Sequence, residues 1–200
     1  MAQLTITGGH LLEHIAFKAS PNVGRVIVPT LLVYHYTAAT TAASSINWLT
    51  TAVSKASAHL IIDIDGTITQ LVPFNYAAWH AGLSRYEGRP KVNGFSIGVE
   101  LVNPGPLTYD SHQRLTTLRG ERWRGAAVTA PHDHLSCPYT LWAAYARAQL
   151  ASLIDVSSVL ALRYGIQQVT GHSDITTRKL DPGPAFPMGE FRALVQRLTG

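Results

Sequence analysis

Leu31-Leu32-Val33-Tyr34-His35-Tyr36 is the stretch from which the fold is read. It is a continuous run of apolar, β-branched and aromatic side chains, and such a run reads as a buried strand. His35, near its end, is expected on a rigid support at the end of a sheet. Further strands are legible on either side of it in the chain. His59-Leu60-Ile61-Ile62-Asp63-Ile64 is a second strand, Asp65-Gly66 a two-residue hairpin turn, and Thr67 to Val72 its partner. Phe95 to Val102 is another, stopped by Asn103-Pro104-Gly105. Ile166 to Thr170 is a short strand leading into Gly171-His172. Helices fall between them. Thr40 to Lys55 carries Ala43, Ile46, Leu49 (or Trp48) and Val53 at helical spacing. Trp142, Tyr145, Gln149, Leu153, Val156, Leu160 and Tyr164 are spaced 3, 4, 4, 3, 4 and 4, which predicts one long helix from Thr140 to a stop at Gly165. A last amphipathic helix is expected over Met188 to Leu198. Interleaved strands and helices predict an α/β protein of the mixed α+β kind, a central mixed sheet flanked by helices.

The remaining stretches carry weaker patterns. Residues 1–29 read as irregular, punctuated by Pro21, Gly24 and Pro29. Residues 104–139 hold four prolines and three histidines without a sustained period, and read as a surface insertion with a short helix. The chain has 200 residues, 46% of them apolar and only 14% charged. That suits a single domain over residues 1–200 with a sizeable core, and excludes extended disorder. One cysteine, Cys137, excludes a disulfide framework and any multi-cysteine metal site within the chain; it is read as a small thiol without a role. The net charge is 16 − 12 = +4 with no basic block, so no nucleic-acid partner is expected. No apolar run reaches the roughly 20 residues that span a bilayer, and the opening MAQLTITGGHLLEHIAFKAS lacks the pattern of a signal peptide. A cytoplasmic protein without a membrane partner, acting as a monomer, is the expectation.

Chemistry is carried by a few side chains. His35 ends a buried strand, His172 follows a strand through Gly171, and Asp181 lies nine residues further on. Two imidazoles and a carboxylate match a catalytic zinc site with an open fourth position. On spacing alone, any one of these histidines reads more readily as a core or surface residue than as a ligand.

The local strings add weight. Val33-Tyr34-His35-Tyr36-Thr37, Ser57-Ala58-His59-Leu60-Ile61-Ile62-Asp63, Trp79-His80-Ala81-Gly82, Ser96-Ile97-Gly98-Val99-Glu100-Leu101-Val102-Asn103, and Gly171-His172-Ser173-Asp174-Ile175 with Arg178-Lys179-Leu180-Asp181-Pro182-Gly183-Pro184 occur in this order. Together they resemble the zinc-dependent N-acetylmuramoyl-L-alanine amidases. This amidase-2 family also includes the peptidoglycan-recognition proteins and the amidase-type phage lysozymes. The resemblance covers about residues 20–187 and is closest to the AmpD-like branch. It implies Zn2+ held by His35, His172 and Asp181, Glu100 as general base, and Lys179 as the cation facing the oxyanion. It also implies a substrate groove lined by His80 and flanked by Arg85 and Asn93. The chemistry agrees with the resemblance: an amide needs an activated water and a stabilised oxyanion, a catalytic zinc serves both, and a strand-borne carboxylate can carry the proton. The phage-lysozyme branch has a tyrosine where this chain has Ala58, and no acid at the position of Glu100, so the AmpD-like pattern fits better. The His172 to Asp181 interval is one residue shorter than expected for that branch. His59 is read as a core residue or one supporting the metal ligands. His10, His14, His112, His132 and His134 have no family counterpart, and the His132-Asp133-His134 triplet is read as a solvated loop.

The implied activity is hydrolysis of the amide bond between N-acetylmuramic acid and L-alanine in peptidoglycan or its fragments. Two other readings stand beside it: a non-catalytic peptidoglycan-binding module, and a zinc peptidase acting on another peptide. The setting is either wall recycling in the cytoplasm or lysis by a phage endolysin released through a holin. The 104–139 insertion is expected to border the groove.

Overall fold

The computed structural model describes residues 4–134 and 136–200. Residues 1–3, at the head of the segment read as lacking a leader, and residue 135, in the proposed insertion, lie outside the described residues. A six-stranded sheet forms the centre. Its strands run in the order Ala16–Phe17, Ile68–Gln70, Leu60–Ile62, Ser96–Leu101, Leu31–Tyr36 and Gln168–Gly171. Within this sheet, among the described residues, the only antiparallel pair is Leu60–Ile62 with Ile68–Gln70, joined by the Asp65-Gly66 turn; its other pairings are parallel. The expected mixed sheet is therefore present.

Leu31–Tyr36 owes its central position to its composition, since five of its six residues are buried. Side chains alternate across a strand, so its two faces are distinct. Leu32 and Tyr34 join Ile97, Val99 and Leu101 of the neighbouring strand in a core closed by Leu153, Val156, Leu160, Phe191 and Val195. Those last five residues come from the helices Arg147–Tyr164 and Met188–Thr199, which together cover this face. The opposite face is shielded in part by the Ala42–Leu49 helix, whose Leu49 packs against Ala58 and Ile61. The end of that opposite face carries the site.

Most of the expected elements are found, with shifted bounds. The helix expected over residues 40–55 is Ala42–Leu49, capped by the Thr41 hydroxyl on the Ser44 N–H, followed by a 3-10 turn at Ala52–Ser54. Gly165 stops the long helix in a left-handed conformation, φ 65°. Three expectations are corrected. Residues 1–29 include the short strands Ala16–Phe17 and Val23–Val26. Residues 104–139 contain strands and, among the described residues, no helix. These strands are Leu107–Tyr109, Leu115–Thr117 and Ala127–Thr129. The long helix begins at Arg147, because Leu141–Ala143 is a strand paired antiparallel with Ala127–Thr129. Trp142 is buried as its helical spacing requires, but its indole N–H donates to the Ala130 carbonyl, so tertiary pairing overrides the local period.

Candidate metal centre

Three parallel strands end side by side, and each delivers one reactive side chain to the same edge. Leu31–Tyr36 supplies His35, Ser96–Leu101 supplies Glu100, and Gln168–Gly171 runs into His172. His35 and Glu100 are register partners, and Gly171 stands opposite Tyr34. The carboxyl edge of parallel strands is where open α/β sheets present their ligand sites. A short helical turn, His172–Ile175, holds His172; the Asp174 carboxylate accepts the Gly171 N–H at 3.0 Å and the Thr170 hydroxyl at 3.0 Å. Gly171 must be glycine, because a Cβ there would lie 2.7 Å from Pro182 Cδ. Asp181 returns on the following loop, fixed by the Ser173 N–H donating to its carbonyl and by the Tyr145 phenol donating to the Pro182 carbonyl.

His35 Nδ1 lies 3.0 Å from His172 Nδ1 and 2.9 Å from Asp181 Oδ2, and His172 Nδ1 lies 2.9 Å from the same oxygen. The three buried side chains thus bring one donor atom each within 4.8 Å of one another. Burial, and then the neighbouring His172, lowers the His35 imidazole to about 4, so it is neutral at pH 7 with a free lone pair. Burial alone would raise the Asp181 carboxyl, but hydrogen bonds from His172 and His35 outweigh it and hold the group well below the usual carboxylate range. A neutral imidazole and an ionised carboxylate are the forms a cation binds.

Behind His35 runs a chain of hydrogen bonds whose direction follows its tautomer. With Nδ1 presented to a cation, its proton is on Nε2, which stands 2.9 Å from His80 Nδ1. His80 must then accept there and carry its own proton on Nε2, 3.1 Å from Ser96 Oγ. The Ser96 hydroxyl donates onward to the Val92 carbonyl at 2.7 Å. Every donor meets an acceptor, and the chain runs in one direction. Gly98 makes room for it, since a Cβ there would fall 2.3 Å from the His80 ring. Asn93 Oδ1 accepts the backbone N–H of His80 at 3.2 Å and of Ala81 at 2.7 Å, pinning the loop. Expected as groove residues, His80 lies along the cleft described next with both ring nitrogens engaged by His35 and Ser96, and Asn93 is engaged inside the protein. Arg85 is on an exposed hairpin with its guanidinium on the Gly88 carbonyl, and neither it nor Asn93 lines the cleft described next.

A cleft of about 790 Å³ opens over the centre. Glu100, His80, His172, Lys179 and Asp181 lie along it, with Trp48, Trp79, Arg119 and Arg178 on its walls. Glu100 Oε2 is sealed from solvent and has no hydrogen-bond partner among the described residues. Burial, and then the nearby Asp181, raise its proton affinity well above that of a surface carboxylate, while Lys179 works against them. A buried carboxylate oxygen without a partner is costly in a folded protein, and a reacting proton or ligand is the usual explanation. The structure therefore gathers His35, His172, Asp181, Glu100 and Lys179 about one cleft.

The other histidines divide. His59 is a core residue, its Nε2–H donating to the Tyr76 carbonyl and its Nδ1 accepting the Gly98 N–H. His10 bonds the Tyr164 hydroxyl at 2.8 Å, and His14 and His112 are exposed. The expected solvated loop at His132-Asp133-His134 is corrected: both rings are half-buried and bonded to backbone carbonyls beside Asp181 and His172. Cys137 is half-buried. Ser96, Arg119 and Trp48 are not among the site residues read from the sequence. Ser96 had a signal: Ser96, Gly98 and Glu100 share one strand face, and two small residues below an acid leave space for a ring. Arg119 and Trp48 had none, because only the folded chain brings them to the cleft.

The family described as N-acetylmuramoyl-L-alanine amidase matches residues 25–184. The 1,6-anhydro-N-acetylmuramyl-L-alanine amidase AmpD of Haemophilus influenzae is 49% identical over 146 residues, covering 71% of this chain and 60% of that protein. AmpD of Escherichia coli is 37% identical over 146 residues, covering 72% of this chain and 61% of that protein. The chain thus spans about three fifths of the length of these curated relatives. A crystal structure of a selenomethionine AmpD derivative superposes with a TM-score of 0.69 at 29% identity, covering 95% of this chain and 99% of that one.

Proposed function

From the premise that this chain belongs to the N-acetylmuramoyl-L-alanine amidase family, we propose that it hydrolyses the amide bond between N-acetylmuramic acid and L-alanine. Its substrates are anhydromuramyl peptides, by analogy with the AmpD relatives whose names carry that specificity. The observation that carries this reading is the convergence of His35, His172 and Asp181 beside Glu100 in one cleft. Two imidazole nitrogens and a carboxylate oxygen, with room on the cleft side, fit Zn2+.

His35, His172 and Asp181 would hold the ion. When bound, zinc supplies a Lewis acid that polarises the scissile carbonyl and acidifies water. Glu100 takes the proton of the attacking water on a carboxylate oxygen and returns it to the departing amide nitrogen, a task its raised proton affinity suits. Lys179 faces the oxygen on which negative charge develops. Arg119, Arg178 and the exposed rings of Trp48 and Trp79 offer grips for the carboxylates and sugar of the substrate.

The whole chain acts as one amidase domain, with 104–139 forming a wall of the groove, and it works as a cytoplasmic monomer. Among the described residues no helix is long and apolar enough to cross a membrane. The deciding experiment incubates soluble anhydromuramyl peptides and intact sacculi side by side and identifies products by mass. The expected products are anhydro-N-acetylmuramic acid and a peptide with a free L-alanine amine. Cleavage within the peptide would make it a zinc peptidase, and binding without cleavage a recognition module. Preference for sacculi would favour the lytic setting.

A further inference from the structure

The 104–139 segment is tied to the metal centre by a contact that the metal itself does not require. After the Ala127–Thr129 strand the chain runs past the two loops that carry His172 and Asp181. His134 Nε2 lies 3.0 Å from the Ser173 carbonyl, directly after His172. His132 Nε2 lies 2.9 Å from the Leu180 carbonyl, directly before Asp181. A carbonyl can only accept, so both rings donate. His132 Nδ1 in turn accepts the His134 backbone N–H at 2.9 Å, which joins the two rings into one unit. The loops they grip are already bridged, Ser173 N–H to Asp181 carbonyl at 2.8 Å.

We infer that His132 and His134 are positioning residues, a two-histidine clasp that holds the His172 and Asp181 loops at the spacing the ion needs. The inference rests on the reading of His172 and Asp181 as metal ligands. The clasp has a firm backing. Its root is pinned by the antiparallel pairing of Ala127–Thr129 with Leu141–Ala143. The Trp142 ring lies 5.6 Å from the His132 ring, and its indole N–H is bonded to the Ala130 carbonyl. Without the clasp, the Ser173 and Leu180 carbonyls would turn to water and the two ligand loops would lose their shared brace. Because the coupling is thermodynamic, it works in both directions. Ligands held by zinc hold the carbonyls, the carbonyls hold the clasp, and the clasp holds the segment that brings Arg119 to the cleft.

The test compares the full chain with His132→Ala/His134→Ala and with His132→Gln/His134→Gln, all checked for folding by circular dichroism. Glutamine restores an N–H donor near the reach of Nε2. Zinc affinity is read by competition with a chromophoric chelator. Order of the segment is read by the rate of tryptic cutting at the exposed Arg114, Arg119, Arg122 and Arg124, with and without zinc. The alanine pair should bind zinc about 10–100-fold more weakly, the range for residues that orient metal ligands. Zinc should slow cutting in the unchanged chain and do so far less in the alanine pair, while the glutamine pair recovers both properties. Should the alanine pair misfold, the single alanine variants make the same comparison. Unchanged zinc affinity on loss of the imidazoles overturns the clasp, as does an equal defect in the glutamine pair. An unchanged chain that takes up no zinc overturns the ligand reading itself.

Discussion

Glu100 tests the chemistry most directly. Glu100→Gln keeps the shape of the side chain and removes its basicity. Turnover should fall about 10²–10⁴-fold while zinc content stays full; turnover near that of the unchanged protein would remove Glu100 from the reaction. Lys179→Met asks a different question, because a cation that meets only the developing oxyanion lowers kcat and spares KM. A loss of about 10²–10³-fold in kcat at constant zinc content is expected, and a defect confined to KM would make Lys179 a substrate grip. Ser96→Ala cuts the chain of donors behind His35 without touching His35, His172 or Asp181. Zinc affinity should drop about 10–100-fold, measured by chelator competition. The clustering of His35, His172 and Asp181 beside Glu100 was legible because each sits in a distinctive string. The work of His80 was not. Its string marks it as a site residue, but the direction of its two hydrogen bonds depends on Ser96 and on the space above Gly98, which come from another strand.

Elements show where local pattern and tertiary pairing compete. The Leu31–Tyr36 and Ser96–Leu101 strands could be read from composition alone, because burial on both faces leaves apolar runs. The strand at Leu141–Ala143 could not, since its Trp142 fits the period of the helix that follows, and its partner Ala127–Thr129 carries no alternation of its own. The same helix supplies a stability prediction. Leu153 is fully buried between the sheet and the helices, so Leu153→Ala should cost about 2–5 kcal/mol in urea unfolding. A value under 1 kcal/mol would mean that the helix does not close this core.

For the whole molecule, the balance of buried histidines sets the response to acid. His59 is lowered to about 4 by burial, against 6.5 in the unfolded chain. Between those values the unfolded chain binds a proton that the folded one refuses, so stability falls as pH falls through this window. Buried His35 and His80 act in the same direction in the metal-free protein, and Glu100, whose proton affinity is raised, offsets one of the three. Urea unfolding of metal-free protein should lose at least about 1.4 kcal/mol per pH unit between pH 6.5 and 4.5. A flat profile would contradict the burial of neutral imidazoles. Strand order was the part of the architecture that the sequence left open, since parallel neighbours are chosen by long crossovers rather than by adjacent residues. That topology also governs when the site comes into being. His35 and Asp181 touch across 146 positions, and the Gln168–Gly171 strand must dock on Leu31–Tyr36 before His172 can join them. Such distant pairings close slowly. A growing chain therefore cannot assemble the three donors until Asp181 has left the ribosome, and a cation taken up by this trio would mark the end of folding rather than its beginning.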